Sequence, residues 1–385
     1  MRLDRQDLLF GVTGVPLDCV SLAQPGSVVR RGSSKVRCSR RHTTCSVQCM
    51  RIVGVRGRVL CVSLLFVGGC GSGEAASTCD GSAEPLVMAT GDDDKLARGL
   101  ALDATHAYWT TGREIADGVP SGGSLMRVAL EGGAPEVLVS DLFLPGALAV
   151  DAHNAYWLAD LESRLKSVPL AGGSPVSVAT TGQARALAID ATSAYWLNFD
   201  TTTLTSAVMK APLGGGAGVE LAVAQGIQGS LAVDLTSVYW SEVDTLGTAF
   251  LKKVSIDGGP VTTLLSTPAF SSSAGVIALD PTNVYFGGAT MDGNNGLLKV
   301  PLTGGAPIAI AHITSFAAAI AVDSRYVYFS ELADGIVRRV PVNGGTISEY
   351  SATSSRVPNV ATNGTKACWV GNESSWTVTC VDSCR

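Results

Sequence analysis

Leu231-Ala232-Val233-Asp234-Leu235-Thr236-Ser237-Val238-Tyr239-Trp240 is the stretch from which the fold of this chain is read. Three small or aliphatic residues end in an aspartate, a short polar turn follows, and an aromatic pair comes next. The same form recurs as Leu100-Ala101-Leu102-Asp103 with Tyr108-Trp109, and as Leu148-Ala149-Val150-Asp151 with Tyr156-Trp157. It recurs again as Leu187-Ala188-Ile189-Asp190 with Tyr195-Trp196, Ile277-Ala278-Leu279-Asp280 with Tyr285-Phe286, and Ile320-Ala321-Val322-Asp323 with Tyr328-Phe329. A degenerate seventh copy reads Val360-Ala361-Thr362-Asn363 with Cys368-Trp369. Asp103 and Asn363 lie 260 residues apart over six intervals, a period of about 43.

Each copy continues in the same way. After a variable loop comes a strand such as Leu297-Leu298-Lys299-Val300-Pro301-Leu302. A glycine pair follows it: Gly132-Gly133, Gly172-Gly173, Gly215-Gly216, Gly258-Gly259, Gly304-Gly305 and Gly344-Gly345. Such a pair between two apolar runs marks a tight hairpin that needs positive φ. A last strand, as in Val137-Leu138-Val139, completes the unit. Four strands, a to d, repeated at this period predict an all-β, seven-bladed β-propeller of four-stranded blades over residues 85–385. The apolar run of strand a suits a strand covered on both faces. The alanine two residues before each Asp lets neighbouring blades approach. The Asp opens the a–b turn, where its carboxylate bonds backbone amides; recurrence in nearly every unit makes that role structural rather than catalytic. The aromatic pairs belong to the core of strand b.

The seventh unit has strands a, b and c but no d. An unassigned strand, Pro85-Leu86-Val87-Met88-Ala89, precedes the first unit and is expected to supply it, closing the ring and leaving no open edge. If Trp369 pairs with Thr379 and Val370 with Val378, Cys368 and Cys380 fall opposite one another, within disulfide reach. Cys79 and Cys384 would then tie the chain ends, the favoured one of three connectivities.

The chain has 385 residues, 46% hydrophobic and 16% charged, with 44 glycines, which fits a turn-rich β protein and not a disordered one. Its net charge of -5 conceals a split. Residues 1–69 carry eleven Lys+Arg against three Asp, net +8; residues 70–385 carry seventeen Lys+Arg against thirty Asp+Glu, net -13. An acidic folded part speaks against nucleic acid as a partner.

The basic segment Met50-Arg51-Ile52-Val53-Gly54-Val55-Arg56-Gly57-Arg58 leads into an apolar run from Val59 to Val67, too short for a permanent span. It ends Leu65-Phe66-Val67-Gly68-Gly69-Cys70, which resembles a bacterial lipobox. The resemblance implies cleavage before Cys70, lipid attachment to its sulfur, export, and anchoring at the cell envelope, with the outer membrane preferred because Gly71 stands where aspartate marks retention. On this reading Met50 is the true start, residues 1–49 are not part of the protein, 50–69 are a signal peptide and 70–84 a tether. Cys45, Cys49 and His42 lack zinc spacing.

The repeat as a whole, Leu/Ile-Ala-Val-Asp, then Tyr-Trp, then a Lys-Val strand and a glycine turn, resembles the YWTD and NHL groups of propeller repeats over residues 85–385. It departs from them in counting seven units where six are common, and in lacking the full tetrad: Tyr108-Trp109-Thr110 is followed by Thr111. The resemblance implies a propeller that binds proteins or glycans. Relatives of the gluconolactonase and streptogramin lyase kind imply a metal-dependent lyase or hydrolase instead.

No catalytic set stands out. His106, His153 and His312 read as plain loop or strand residues, and no nucleophile elbow, phosphate loop or zinc cluster is present in the sequence of the repeat region. Alanine and aliphatics dominate the inner strands. The b–c loops emerge together on one end of the ring and hold Glu114, Asp117, Asp160, Glu162, Asp200, Glu242, Asp244, Asp292, Glu331, Asp334 and Glu373, with Arg113 their one basic residue. A shared acidic face of this kind would attract cations or a basic partner. Met291-Asp292-Gly293-Asn294-Asn295-Gly296 offers oxygen donors but too few for a calcium site. The favoured reading is a monomeric, non-enzymatic binding or scaffold module for a protein or glycan, needing no cofactor, with a divalent cation and the metal-dependent enzyme as the alternative.

Overall fold

The computed structural model describes residues 84–383 apart from 92–95, 113–121, 201–204, 225, 245, 269–274, 290–293, 351–356 and 373–374, together with four short strands before residue 61. The chain divides into two units, Met1–Ala75 and Ala76–Arg385. In the first, Lys35–Arg37 pairs with Thr44–Ser46 and Ile52–Val53 with Val59–Leu60. Cys70, Cys79 and Cys384 lie outside the described residues, and so does the expected Cys79–Cys384 bridge.

The second unit is a ring of seven four-stranded antiparallel blades, a β-propeller. Blade 1 is built of Leu96–Leu102, His106–Gly112, Gly123–Ala129 and Glu136–Leu142. The innermost strands of blades 2 to 7 are Pro145–Val150, Gln183–Ile189, Ile227–Val233, Ile277–Leu279, Ala317–Val322 and Asn359–Thr362. Each innermost strand packs against the next, and the last against the first. Leu86–Gly91 adds to the outside of blade 7, pairing with Trp376–Asp382, so the ring closes with a strand from before blade 1 as expected.

Seven apolar clusters fill the seven interfaces between blades, and each is made the same way. The Tyr of one blade meets the Trp or Phe of the next: Tyr108 with Trp157, Tyr156 with Trp196, Tyr195 with Trp240, Tyr239 with Phe286, Tyr285 with Phe329, and Tyr328 with Trp369. Adjacent residues of a strand point to opposite sides of the sheet, so a Tyr-Trp pair serves both neighbours at once. The recurrent alanines face the following blade as well; Ala188 packs with Leu231 and Trp240, and Ala361 with Leu100 and Trp109. In blade 7 the tyrosine register holds Cys368, which is bonded to Cys380 and packs with Trp109. The disulfide therefore replaces the tyrosine at the seam where the ring closes.

Strand a packs on both faces as expected, Leu100 and Leu102 in the cluster shared with blade 7 and Ala101 in that shared with blade 2, although Leu102, Val150, Ile189, Val233, Leu279 and Val322 are only half-buried. Full burial belongs to strand b, where Trp109, Trp157, Trp196 and Trp240 are inaccessible to solvent. The hairpin glycines behave as read: Gly258 and Gly259 have φ of 82° and 118°, a region that side chains disfavour.

Candidate functional site

The two ends of the ring differ in kind. The a–b and c–d connections form a turn face, and the b–c and d–a connections form a loop face.

On the turn face the recurrent aspartates have a single job. Asp234 Oδ1 accepts from the Thr236 amide at 2.7 Å, the Thr236 hydroxyl at 2.9 Å and the Ser237 amide at 2.8 Å, while Oδ2 accepts from the Tyr239 hydroxyl at 2.8 Å. Asp103, Asp190 and Asp280 repeat this pattern with Tyr108, Tyr195 and Tyr285. Burial pushes these four carboxyls up, but the hydrogen bonds outweigh it and hold each below its ordinary value. The tyrosines move the other way. Tyr156 is pushed up to about 12, first by burial and then by its bond to Asp151. The sequence showed the turn amides as partners for the Asp but not the tyrosine five residues on. That spacing is the missed signal: a tyrosine buried to serve two blades still needs an acceptor for its hydroxyl. Where Cys368 replaces the tyrosine, Asn363 replaces the aspartate, keeping the Thr365 and Lys366 amides and donating Nδ2 to the Asp103 carbonyl at 2.6 Å.

The Lys-Val strand has a job on the same face. Arg127, Lys210, Lys253 and Lys299 each cross to the c–d turn of the next blade and donate to the carbonyls of Leu170, Ile256, Leu302 and Val342 at 2.6 to 2.8 Å. In blade 6 the equivalent Arg339 lies 4.4 Å over the Tyr326 ring and 5.5 Å from that of Tyr350. The charged groups of the turn face thus stitch blades together. His106 also stays local, with Nδ1 2.7 Å from the Thr105 hydroxyl, and His312 ends strand d of blade 5.

The loop face shows no such regularity, and the uniform acidic surface expected there is corrected in two ways. First, Glu242 and Glu331 are not loop residues. They close strands Ser237–Val243 and Tyr326–Glu331 at equivalent positions and are 1% and 3% exposed. Glu242 takes Trp240 Nε1 at 2.7 Å and Lys252 Nζ at 2.5 Å. Glu331 takes the amides of Thr314 and Ser315, the Thr314 hydroxyl, and Arg338 at 3.0 Å. Strand alternation puts both on the same side as the core aromatic two residues earlier, so their charge is paid for inside the blade. Second, two of the remaining described acids are paired with cations. Arg338 also binds Asp334 at 2.6 Å, which holds that carboxyl below its ordinary value, and Lys166 binds Glu162 at 2.5 Å. Asp244 caps its own loop through the Leu246 and Thr248 amides. Asp200, exposed, ends strand b of blade 3 opposite Thr205. Glu114, Asp117, Asp292 and Glu373 lie outside the described residues.

What the sequence did not reveal lies at the inner ends of the strands on this face. The residue two before the strand-a aliphatic is Gly146, Gly229, Gly275, Ala318 or Pro358 in five blades, but Arg98 in blade 1 and Arg185 in blade 3. Between them, Asp160 of blade 2 reaches over Gly146, its carboxyl oxygens 3.1 Å from where a Cβ would stand. Asp160 touches solvent, yet the blades crowd its carboxyl and push it up to about 6, against the pull of Arg98 and Arg185. Arg185 also lies 5.9 Å over the Phe199 ring. Repeat comparison at the aliphatic-minus-two position, not the loops, was the signal for this trio. Between blades 4 and 5, Gly287 and Gly288 stand where most other blades have larger residues, beside a cavity of about 40 Å³ lined by Glu242, Phe250 and Phe286.

No family model and no curated protein matches the chain. Solved structures do resemble it. The computationally designed protein Ika8 is 16% identical, with 78% of this chain and all of Ika8 covered at a TM-score of 0.54. A puromycin hydrolase is 14% identical at 0.56, covering 71% of this chain and 50% of its own. A puromycin-hydrolyzing peptidase of Mycobacterium tuberculosis is 12% identical at 0.54, covering 75% and 53%. What they share with this chain is the propeller. The chain spans about half the length of the two peptidases, and identities this low carry the fold alone.

Proposed function

We propose that this chain is a non-enzymatic binding module, tethered at the cell envelope through Cys70, whose protein or glycan partner docks on the loop face. The observation that carries this reading is the distribution of exposed apolar side chains. Phe143, Leu161, Leu246, Phe316 and Leu332 all stand out from d–a or b–c connections, among charges that no other blade repeats. On the turn face the recurrent charged side chains serve the ring itself, and among the described residues Leu235 and Val261 are the large apolar residues left exposed in its connections. Apolar side chains gathered with mixed charge on one end of a rigid ring suit recognition.

The metal-dependent alternative asks carboxylates of the same face to hold a cation. Glu162, Glu242, Glu331 and Asp334 already neutralise lysine or arginine, which weakens that reading. Thermal unfolding in chelator and then in excess calcium, magnesium or zinc separates the two. The binding module unfolds at one temperature throughout. A metal bound at a hundred times its dissociation constant would add about 2.7 kcal/mol and turn the assignment to the enzyme.

A further inference from the structure

The inner mouth of the loop face carries two arginines on its innermost strands. Arg98 and Arg185 sit at one register position in blades 1 and 3, on innermost strands, and at the equivalent position of the blade between, the Asp160 carboxyl lies over Gly146. Among the described residues Arg185 forms no ion pair, and its guanidinium lies over a half-buried phenylalanine, Phe199. Asp160 already brings a carboxylate into this mouth without accepting a hydrogen bond there among the described residues. A planar guanidinium fork matches the two oxygens of a carboxylate. Phe143 and Leu161, exposed on the neighbouring d–a and b–c connections, supply apolar contact beside it.

We propose that Arg98 and Arg185 clamp a carboxylate of an acidic peptide segment, the part of a docked protein partner that enters the axial mouth. This rests on the docking reading above and names the partner's chemistry. Asp160 competes with the incoming carboxylate for the same two cations, so it weakens the site, and its removal strengthens it. The clamp belongs to this chain alone among its blades: glycine, alanine or proline at the other five positions shows that the propeller does not need an arginine there.

The test uses the full chain and N-acetyl-tetraglutamate amide as probe, with the tetraglutamine peptide and inorganic phosphate beside it, followed by isothermal titration and by chemical shifts at assigned loop-face residues. The tetraglutamate peptide is expected to bind, the tetraglutamine peptide not. Arg98→Ala and Arg185→Ala are each expected to weaken binding by roughly tenfold or more with unchanged unfolding temperature, and Asp160→Asn to tighten it. Equal binding by the double arginine variant overturns the clamp, as does failure of the tetraglutamate peptide to bind. Binding of phosphate with none of the peptide overturns the peptide as its occupant. Shifts at Phe316 and Leu332 in place of the mouth sink the clamp and leave the docking face standing, whereas a metal-dependent unfolding temperature removes the docking reading itself.

Discussion

Asp103, Asp190, Asp234 and Asp280 hold the same amides and the same tyrosine in blade after blade on the turn face, while on the loop face one register position runs from Arg98 through Gly146 to Pro358. Both faces carry charge. On one, five of the recurrent aspartates and four of the strand-c cations are answered at a regular spacing: a tyrosine five on, or a carbonyl about one repeat later. On the other, Arg338 gathers Glu331, Asp334 and Glu349 in blade 6, Lys252 serves Glu242 in blade 4, and Arg185 forms no ion pair among the described residues. Repetition marks the side chains that build the ring, and its failure marks those left for something else.

The contrast predicts where substitution hurts. Asp234→Ala strips the Tyr239 hydroxyl and two turn amides of their acceptor and should cost about 3 kcal/mol in urea unfolding, with Tyr239→Phe costing about half as much. A loss under 0.5 kcal/mol for Asp234→Ala would break the distinction between the faces. Replacing Cys368 and Cys380 together by serine opens a bridge across a separation of 12 residues at the closing seam, for an expected loss of about 2 to 3 kcal/mol by the same measurement.

Acid titration sharpens the comparison, because the turn carboxyls and Asp160 respond with opposite sign. The four turn carboxyls have folded values held below their ordinary 3.8, so the unfolded chain binds the proton first as pH falls. Their contribution is complete above 3.8 and is lost as pH falls through the lowered values. Asp160, raised to about 6 by burial, does the reverse: its contribution is complete below 3.8 and disappears as pH rises through 6. Asp160→Asn should therefore raise the unfolding temperature at pH 7 relative to the parent, and the advantage should vanish near pH 4. The smallest effect belongs to Arg185→Ala, within about 0.5 kcal/mol of the parent in the same urea unfolding.

The sequence made the ring legible because each blade restates the same physical requirement. A strand-b residue pair has to fill two interfaces, so an aromatic pair recurs; a small residue has to face the next blade, so alanine recurs; a hairpin needs positive φ, so the glycine pair recurs. Closure was legible for the same reason, as a strand lacking at one end and spare at the other. The candidate site was legible only in outline. Glu242 and Glu331 read as loop acids because they adjoin variable segments, and strand alternation then turned them inward beside Trp240 and Phe329, where Lys252 and Arg338 meet them.

Local chemistry, repeated along the chain, made the blades, their number and the turn aspartates legible from sequence alone, and favoured the Cys368–Cys380 pairing that the structure shows. Only the tertiary structure decided which acids keep their charge in solvent, and only it put Arg98, Asp160 and Arg185 of three successive blades around one mouth. Pairing within a blade depends on neighbours in the chain, so a pattern records it. Company at the axis depends on how seven sheets curve into a ring, and no single repeat encodes that.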